Sequence, residues 1–356
     1  MRLRLVGCVA VLVTAIVSMP SPATVGSMDK TSRHRSSSVW LPNRNMTAEY
    51  KRVANNSDLF DLASPFWYDA TSCSRLTGRP GAGSRAAIRG LVAKGLSVVP
   101  TVSATGLAPR AAIRCFSDVH RRAAHVERLA NVVTSRAYRG IDIDYENLAL
   151  TTNPRLAAKV QRGFTTFIDE LCRRMQRLDK LCVVTVMPRT SDELTVWRGK
   201  LIPGVYNYTA IAASASRMRV MAYDQHAPNT PPGPIAGFPW VRRVVAYTAR
   251  NAPLGRVELG VPTYGRDWSG GTAETLIGQQ AVALARAHGV TPVFDALQRE
   301  LTFRYRADGV RHRVWFSSPA AVAARYQLAR DMGLAGAAYW AAGLEQRGTW
   351  NAVRRR

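Results

Sequence analysis

The chain has 356 residues, and 49 Lys and Arg against 24 Asp and Glu give it a formal net charge of +25. This length suffices for one large core, and 47% hydrophobic residues are typical of a globular chain and exclude a disordered one. Such a charge favours anionic partners, but the basic residues are scattered, and only residues 354–356 form a basic cluster. Since the sequence has neither a basic helix nor a phosphate-binding Gly-rich loop, we predict no nucleic-acid partner.

The N-terminus has the pattern of an export signal. Arg2 and Arg4 precede an apolar run over residues 5–17, and small residues follow it. The run is too short for a comfortable membrane span. Cys8 lies before most of the run, which argues against a lipid anchor. We therefore predict a signal peptide over residues 1–23, no membrane span, and a secreted protein that associates with a cell wall or remains free.

Four cysteines follow the predicted signal peptide: Cys73, Cys115, Cys172 and Cys182. An even number in an exported chain predicts two disulfide bonds, with three possible connectivities. A Cys172–Cys182 bond would close the turn between a helix and the next strand. A Cys73–Cys115 bond would join two loops at one end of the fold, and free buried cysteines are the alternative. The sequence has no Cys-x-x-Cys pair and no Cys/His cluster, so we predict no zinc site.

After a predicted disordered lead-in over residues 24–37, apolar runs alternate with helical patterns across a single domain of residues 38–350. The predicted strands are 38–41, 59–68, 96–102, 138–146, 182–187, 217–223, 256–264 and 334–340. The predicted helices are 84–94, 118–135, 153–178, 240–251 and 319–332. Strands that alternate with helices predict a parallel sheet, and eight of them predict closure into a (β/α)8 TIM barrel, an α/β fold.

Residues 265–320 interrupt this alternation between predicted strands seven and eight. A helix is predicted over residues 276–289, and two hairpin strands over 302–305 and 313–316. The turn signal Asp308-Gly309 separates those two strands. We predict a small α+β insertion here that forms one wall of a cleft.

The fourth predicted strand carries three carboxylates on one face. Because side chains alternate along a strand, Asp142, Asp144 and Glu146 point one way, while apolar residues and Tyr145 point the other. Neighbouring carboxylates on that face lie about 6–7 Å apart and repel one another. Groups held in such an arrangement cluster at functional sites. The alternative, a solvated strand with an acidic outer face, fits poorly with the apolar opposite face.

The active sites of (β/α)8 barrels lie at the C-terminal ends of the strands, and further polar and aromatic residues are predicted at those ends. They are Met221, Tyr223 and Asp224 after strand six, Tyr264 and Arg266 after strand seven, and Trp340 at the end of strand eight. Aromatic faces stack on sugar rings while polar groups bind hydroxyls. We therefore predict a carbohydrate groove.

The segment Gly140-Ile141-Asp142-Ile143-Asp144-Tyr145-Glu146 resembles the signature of glycoside hydrolase family 18, the chitinase family, with the pattern Asp-x-x-Asp-x-Asp-x-Glu. Met221-Ala222-Tyr223-Asp224 resembles the family's Met-x-Tyr-Asp element, and Trp340 matches its strand-eight tryptophan. The resemblance covers roughly residues 38–345 and is greatest to bacterial spore-cortex and cell-wall N-acetylglucosaminidases. The first acid of the pattern falls on Arg139, and an Arg there is expected to pair with Asp142.

This resemblance implies a retaining mechanism in which the substrate supplies the nucleophile. Glu146 would protonate the glycosidic oxygen while the 2-acetamido carbonyl of the −1 sugar attacks the anomeric carbon. Asp144 would stabilise the resulting oxazolinium ion, Asp142 would share a proton with Asp144, and Tyr223 would hold the acetamido carbonyl. The other substrate-binding residues that it implies are Trp340, Asp224, Met221, Tyr264, Arg266 and Trp67. It implies no metal and no cofactor.

The sequence thus predicts a monomeric, exported hydrolase of β-1,4-linked N-acetylglucosamine polymers, either chitin or peptidoglycan. The alternative is an inactive lectin on the same barrel. Since inactive relatives typically lose the glutamate, the presence of Glu146, Asp144 and Tyr223 favours catalysis. Whether cleavage is endo or exo depends on whether the insertion closes one end of the groove.

Overall fold

Eight parallel strands close into a barrel in the computed structural model, which describes residues 37–197 and 200–356. In chain order, barrel strands 1 to 8 are Ser38–Leu41, Leu62–Ser72, Ser97–Val98 with Thr101–Ser103, Gly140–Asp144, Leu181–Val186, Arg217–Val220, Val257–Pro262 and Gly336–Trp340. Strand 1 pairs in parallel with both strand 2 and strand 8, which closes the ring. The predicted (β/α)8 TIM barrel is therefore confirmed. The predicted signal peptide lies outside the described residues.

Most barrel strands depart from their predicted bounds, and two of them do so for clear local reasons. Strand 3 is interrupted at Val99 and Pro100, because proline has no N–H to give to the ladder. Strand 4 ends at Asp144, and Glu146 instead begins a short 3-10 turn over Asn147–Ala149. The three acids are thus not on one continuous strand, and Glu146 is oriented by a turn.

The helices that surround the barrel follow the predicted alternation. They are Met46–Ala54 (α1), Arg85–Val92 (α2), Pro109–Phe116 (α3), Val119–Thr134 (α4), Pro154–Arg177 (α5), Tyr208–Ser214 (α6), Phe238–Asn251 (α7), Gly278–Ala287 (α8), Pro319–Asp331 (α9) and Thr349–Arg354 (α10). The sequence gives α1 only weak helical character, and α3, α6 and α10 were not predicted. Across the described residues, none of the helices has the length and apolar character needed to cross a lipid bilayer.

The longest helix, α5, shows how the sequence specifies this layer. Asn153 caps its N-terminus by accepting a hydrogen bond from the N–H of Leu156 at 3.1 Å, and Pro154 occupies the first turn. An apolar stripe at helical spacing faces the barrel and is buried: Val160, Phe164, Phe167, Ile168, Leu171 and Met175. Burial of this stripe fixes the helix against the strands.

The insertion between barrel strands 7 and 8 occupies about the predicted range but has more strands than predicted. It is a five-stranded antiparallel sheet in the order Thr272–Ile277, Tyr264–Ser269, Val310–Phe316, Glu300–Ala307 and Val293–Asp295, together with α8. Asp308 and Gly309 both have positive φ, as a two-residue hairpin turn requires. A separate hairpin, Leu194–Trp197 with Lys200–Pro203, follows barrel strand 5.

A buried ion pair fastens this insertion to the barrel. Arg325 of α9 donates to Glu300 of the insertion sheet at 3.0 Å, and both side chains are fully buried. The Glu300 carboxylate also accepts hydrogen bonds from the N–H groups of Ile235 and Ala236, at 2.8 and 3.0 Å. Burial raises the pKa of Glu300, and the opposing charge of Arg325 counteracts that rise. The insertion is thus tied to α9 and to the loop after barrel strand 6.

Both named cysteine pairings form disulfide bonds. The Cα atoms are 5.5 Å apart in Cys73–Cys115 and 5.2 Å apart in Cys172–Cys182, within the range that a disulfide allows. Cys172 in α5 and Cys182 in barrel strand 5 flank a turn, as predicted. Cys115 lies within α3 rather than in a loop.

Candidate active site

A groove of about 340 Å³ opens at the C-terminal ends of the barrel strands, and Asp144 and Glu146 both line it. We call it the acid-bearing groove. Its other walls include Phe66, Arg79 and Trp340. The barrel brings these residues together from strands 2, 4 and 8, so the predicted acids and the predicted tryptophan share one site.

Asp142 lies below this groove and is fully buried inside the barrel. Its Oδ2 accepts hydrogen bonds from Trp40 Nε1 at 2.9 Å, Thr101 Oγ1 at 2.8 Å and Arg219 Nη1 at 2.9 Å. Its Oδ1 accepts one from Thr185 Oγ1 at 2.8 Å. Four donors therefore hold this carboxylate in a fixed orientation two residues before Asp144.

The cation beside Asp142 is Arg219, which is fully buried and bridges two carboxylates. Its Nε donates to Glu258 Oε2 at 2.8 Å, and its Nη1 also donates to Ser64 Oγ at 2.8 Å. Burial by itself lowers the pKa of Arg219, but the charges of Asp142 and Glu258 outweigh it and raise the pKa above the ordinary value. The barrel interior thus holds a charged triad beneath the acid-bearing groove.

Arg139 does not pair with Asp142, so that expectation is wrong. Its Nη1 lies 3.2 Å from Asp179 Oδ2, in a pair whose side chains are 44% and 95% exposed. Arg139 precedes barrel strand 4 at its N-terminal end, three residues and about 10 Å from Asp142 along the chain. An ion pair this exposed contributes little to stability.

Tyr223 is buried next to the two groove acids. Burial raises its pKa well above 10.0, and the charges of Asp144 and Glu146 raise it further. The phenol therefore keeps its proton at neutral pH and remains a hydrogen-bond donor. Tyr264 packs edge-on against Tyr223, with ring centroids 6.5 Å apart.

Asp224 connects this tyrosine pair to the insertion. Its Oδ1 accepts hydrogen bonds from the hydroxyl of Tyr264 and, at 2.5 Å, from Arg266 Nη2. Asp224 has a φ of 56°, a left-handed conformation that is uncommon for a residue other than glycine and is often found at functional sites. The predicted set Tyr223, Asp224, Tyr264 and Arg266 is therefore one contiguous group.

The predicted aromatic contacts divide into one that lines the groove and one that does not. Trp340 lines the groove and packs edge-on against Phe66, with ring centroids 5.0 Å apart. Trp67 is fully buried and packs against Tyr138 instead, at 5.9 Å. Adjacent residues of a strand point to opposite sides, so Phe66 takes the groove side and Trp67 cannot contact a bound sugar. Met221 is also buried and belongs to the barrel core.

Four residues of the site escaped prediction. Phe66 and Arg79 line the groove, and the Arg79 guanidinium lies 5.8 Å from the centroid of the Phe66 ring. Arg219 and Glu258 form the triad with Asp142. Arg219 and Glu258 could have been found in the sequence, because each is a charged residue at an inward-facing position of a buried strand.

Comparison with known proteins shows which family the chain resembles. The family model "Glycosyl hydrolases family 18" matches residues 113–345, which include the acids and Trp340. The chain is 27% identical to glycosylase YdhD of Bacillus subtilis over 251 residues, 69% of this chain and 56% of that protein. It is 25% identical over 234 residues to the cortical fragment-lytic enzyme of Bacillus subtilis, 63% of this chain and 52% of that enzyme.

Solved structures show the same fold over nearly the whole described chain. A chitinase from Chromobacterium violaceum superposes with a TM-score of 0.80 and 25% identity, over 90% of this chain and 98% of that chain. The spore cortex-lytic enzyme SleL of Bacillus megaterium superposes with a TM-score of 0.75 and 21% identity, over 91% and 75% of the two chains. The chain thus matches this chitinase over its full length but spans only about half of the two curated relatives above.

Proposed function

The chain belongs to glycosyl hydrolase family 18, and on that premise we propose that it hydrolyses β-1,4-linked N-acetylglucosamine polymers. The observation that carries the proposal is the convergence of Glu146, Asp144 and Trp340 on one groove, with Tyr223 buried beside the acids. The groove then offers a proton donor, an anion and an aromatic surface to one sugar ring. An inactive lectin would have no need of the glutamate.

The proposed mechanism is retaining and uses the substrate's own acetamido group as nucleophile. Glu146, at the start of a turn in the groove, protonates the glycosidic oxygen as the bond breaks. The acetamido carbonyl attacks the anomeric carbon, and the resulting oxazolinium ion carries a positive charge that Asp144 stabilises. Water then attacks the anomeric carbon and gives its proton to Glu146, which releases the sugar with retained configuration and restores the acid. Tyr223 keeps its proton at neutral pH, so it can donate a hydrogen bond to the acetamido carbonyl and orient it.

The position of Asp142 excludes it as an enzyme nucleophile that attacks the sugar. Asp142 is fully buried, and its oxygens accept from four donors, one of them the guanidinium of Arg219. A carboxylate held in this way cannot reach an anomeric carbon. We propose that Asp142 instead supports Asp144 from below, including the sharing of a proton with it.

The proposed setting is outside the cell. Two disulfide bonds are typical of an oxidising compartment and agree with the predicted signal peptide. Peptidoglycan is one candidate substrate, in agreement with the name of the cortical fragment-lytic relative. Chitin is the other, in agreement with the name of the bacterial chitinase.

The decisive experiment digests chitin oligomers and purified peptidoglycan side by side and identifies the products by mass. Cleavage of either polymer at N-acetylglucosaminyl bonds supports hydrolysis and names the substrate. Internal fragments would indicate endo cleavage, and single sugars or disaccharides from chain ends would indicate exo cleavage. Binding to both polymers without any products would favour the lectin instead.

A thiazoline analogue of the acetamido intermediate tests the mechanism separately. Because it resembles the cyclic oxazolinium ion, we expect it to compete with substrate and to bind at least a hundredfold more tightly than N-acetylglucosamine, as transition-state mimics do. N-acetylglucosamine is the matched control, since it has the same acetamido group without the fused ring. Equal affinity for the two compounds would contradict substrate assistance.

A further inference from the structure

The insertion sheet has two faces of different character. Phe303 lies directly opposite Val314 in the register of the two long strands, and both side chains pack with Ala281 and Ala285 of α8. This face is the insertion's own apolar core. Because side chains alternate along each strand, the neighbouring residues point to the other side of the sheet.

That other face carries two pairs of directly opposed arginines. Arg304 lies opposite Arg313, and Arg306 lies opposite Arg311. Directly opposed residues in an antiparallel pair have Cβ atoms about 4.5–5.5 Å apart, where like charges destabilise the sheet. The two pairs therefore concentrate positive charge on this face, and the carboxylate of Asp295 offsets part of it at Arg313.

Arg304, Arg311 and Arg313 line a groove of about 770 Å³ together with Trp268 and Trp315, and we call it the arginine groove. No acidic side chain is present among the described residues that line it. Burial lowers the pKa of Arg313, and the neighbouring Arg304 lowers it further. Arginine nonetheless keeps its charge at neutral pH, so the groove is a concave cationic surface.

The strand Tyr264–Ser269 connects this groove to the acids. Tyr264, Arg266 and Trp268 occupy alternate positions of that strand and share one face. Arg266 pairs with Asp224 beside Tyr223, whereas Trp268, about 7 Å further along the strand, lines the arginine groove. The strand therefore places the arginine groove close to the group of residues around Asp224.

We propose that the arginine groove binds an anionic group, a carboxylate or a phosphate ester, carried by the same glycan strand that occupies the acid-bearing groove. Guanidinium groups bind such oxyanions through paired N–H donors. Neutral chitin has no such group, so the site selects charged envelope glycans. This inference rests on the proposed glycan substrate and deepens it by adding a requirement for charge.

The test measures binding rather than turnover, in the full chain carrying Glu146→Gln. The double change Arg304→Gln with Arg313→Gln is introduced into this Glu146→Gln chain. Sedimentation assays then measure the affinity for chitin, for peptidoglycan stripped of phosphate polymers, and for a phosphate-bearing wall polymer. We expect the double change to weaken binding of at least one anionic polymer tenfold or more, and binding of chitin less than twofold. If only the phosphate-bearing polymer loses affinity, the recognised group is a phosphate. If the stripped peptidoglycan loses affinity, the recognised group is a carboxylate.

The matched control is Arg242→Gln with Arg243→Gln, which removes the same charge from the exposed surface of α7. The double change Arg304→Gln with Arg313→Gln removes a like-charge contact, so the Tm of that variant should equal or exceed that of the unchanged chain. Such a Tm would exclude unfolding as the cause of weaker binding. Equal losses on chitin and on the anionic polymers, or losses no greater than in the control, would overturn the proposal. Arginine-dependent binding in a chain that cleaves no glycan would refute the proposed hydrolysis and leave this inference standing.

Discussion

Replacement of Glu146 with Gln is expected to lower kcat by about 10²–10⁴-fold, the contribution typical of a general acid. Gln has the size of the glutamate but no proton to give to the glycosidic oxygen. Asp144, Tyr223 and Trp340 are untouched by this change, so the affinity for an oligosaccharide should change little. The measurement pairs initial rates on the substrate found by the digest with the Kd of a short oligomer.

The matched control is Glu274→Gln, which makes the same chemical change at an exposed position of the insertion sheet. Glu274 lies opposite Asp267 in the register, whereas Arg266 and Trp268 are on the other face of that strand. We expect the control to retain full activity. Turnover within tenfold of the unchanged chain for Glu146→Gln would refute the assignment of Glu146 as the acid.

The fold followed from periodicity because most barrel strands are largely apolar runs bounded by polar residues. Closure was predictable from the count of eight such runs. The three acids were predictable for a similar reason, since they interrupt an apolar strand at every second position. Strand ends were less predictable: the chain turns after Asp144, and the pattern of alternation alone does not show that Glu146 has left the strand.

Partners across the barrel could not be derived from the sequence. Arg139 was expected beside Asp142 because it is near in sequence, but strand direction places the two at different depths of the barrel. The true partner, Arg219, is 77 residues away and meets Asp142 only after barrel strands 4, 5 and 6 align. The same limit applies to Trp67, whose burial depends on which side of barrel strand 2 faces the groove.

Replacement of Arg219 with Met is expected to destabilise the protein by about 3–5 kcal/mol, the usual cost of removing one partner from a buried ion pair. Methionine replaces only the aliphatic part of the side chain, and it leaves the buried carboxylates of Asp142 and Glu258 close together without their shared cation. A domain stabilised by about 10 kcal/mol, the middle of the usual range, would stay folded at 25 °C, so activity and stability can be measured on the same sample. Activity should also fall, because Asp142 loses one of the donors that orient it beneath Asp144.

Arg217→Met is a closely matched control, since Arg217 lies on the same strand and pairs with the same Glu258 at 3.2 Å. Its side chain is 24% exposed, so water compensates for the lost pair, and we expect a cost of about 1 kcal/mol or less. Urea denaturation gives both free energies of unfolding, and initial rates give both activities. A cost for Arg219→Met no larger than that for Arg217→Met would show that the triad does not hold the barrel interior together. Loss of stability with full kcat would show that it supports the fold without positioning the acids above it.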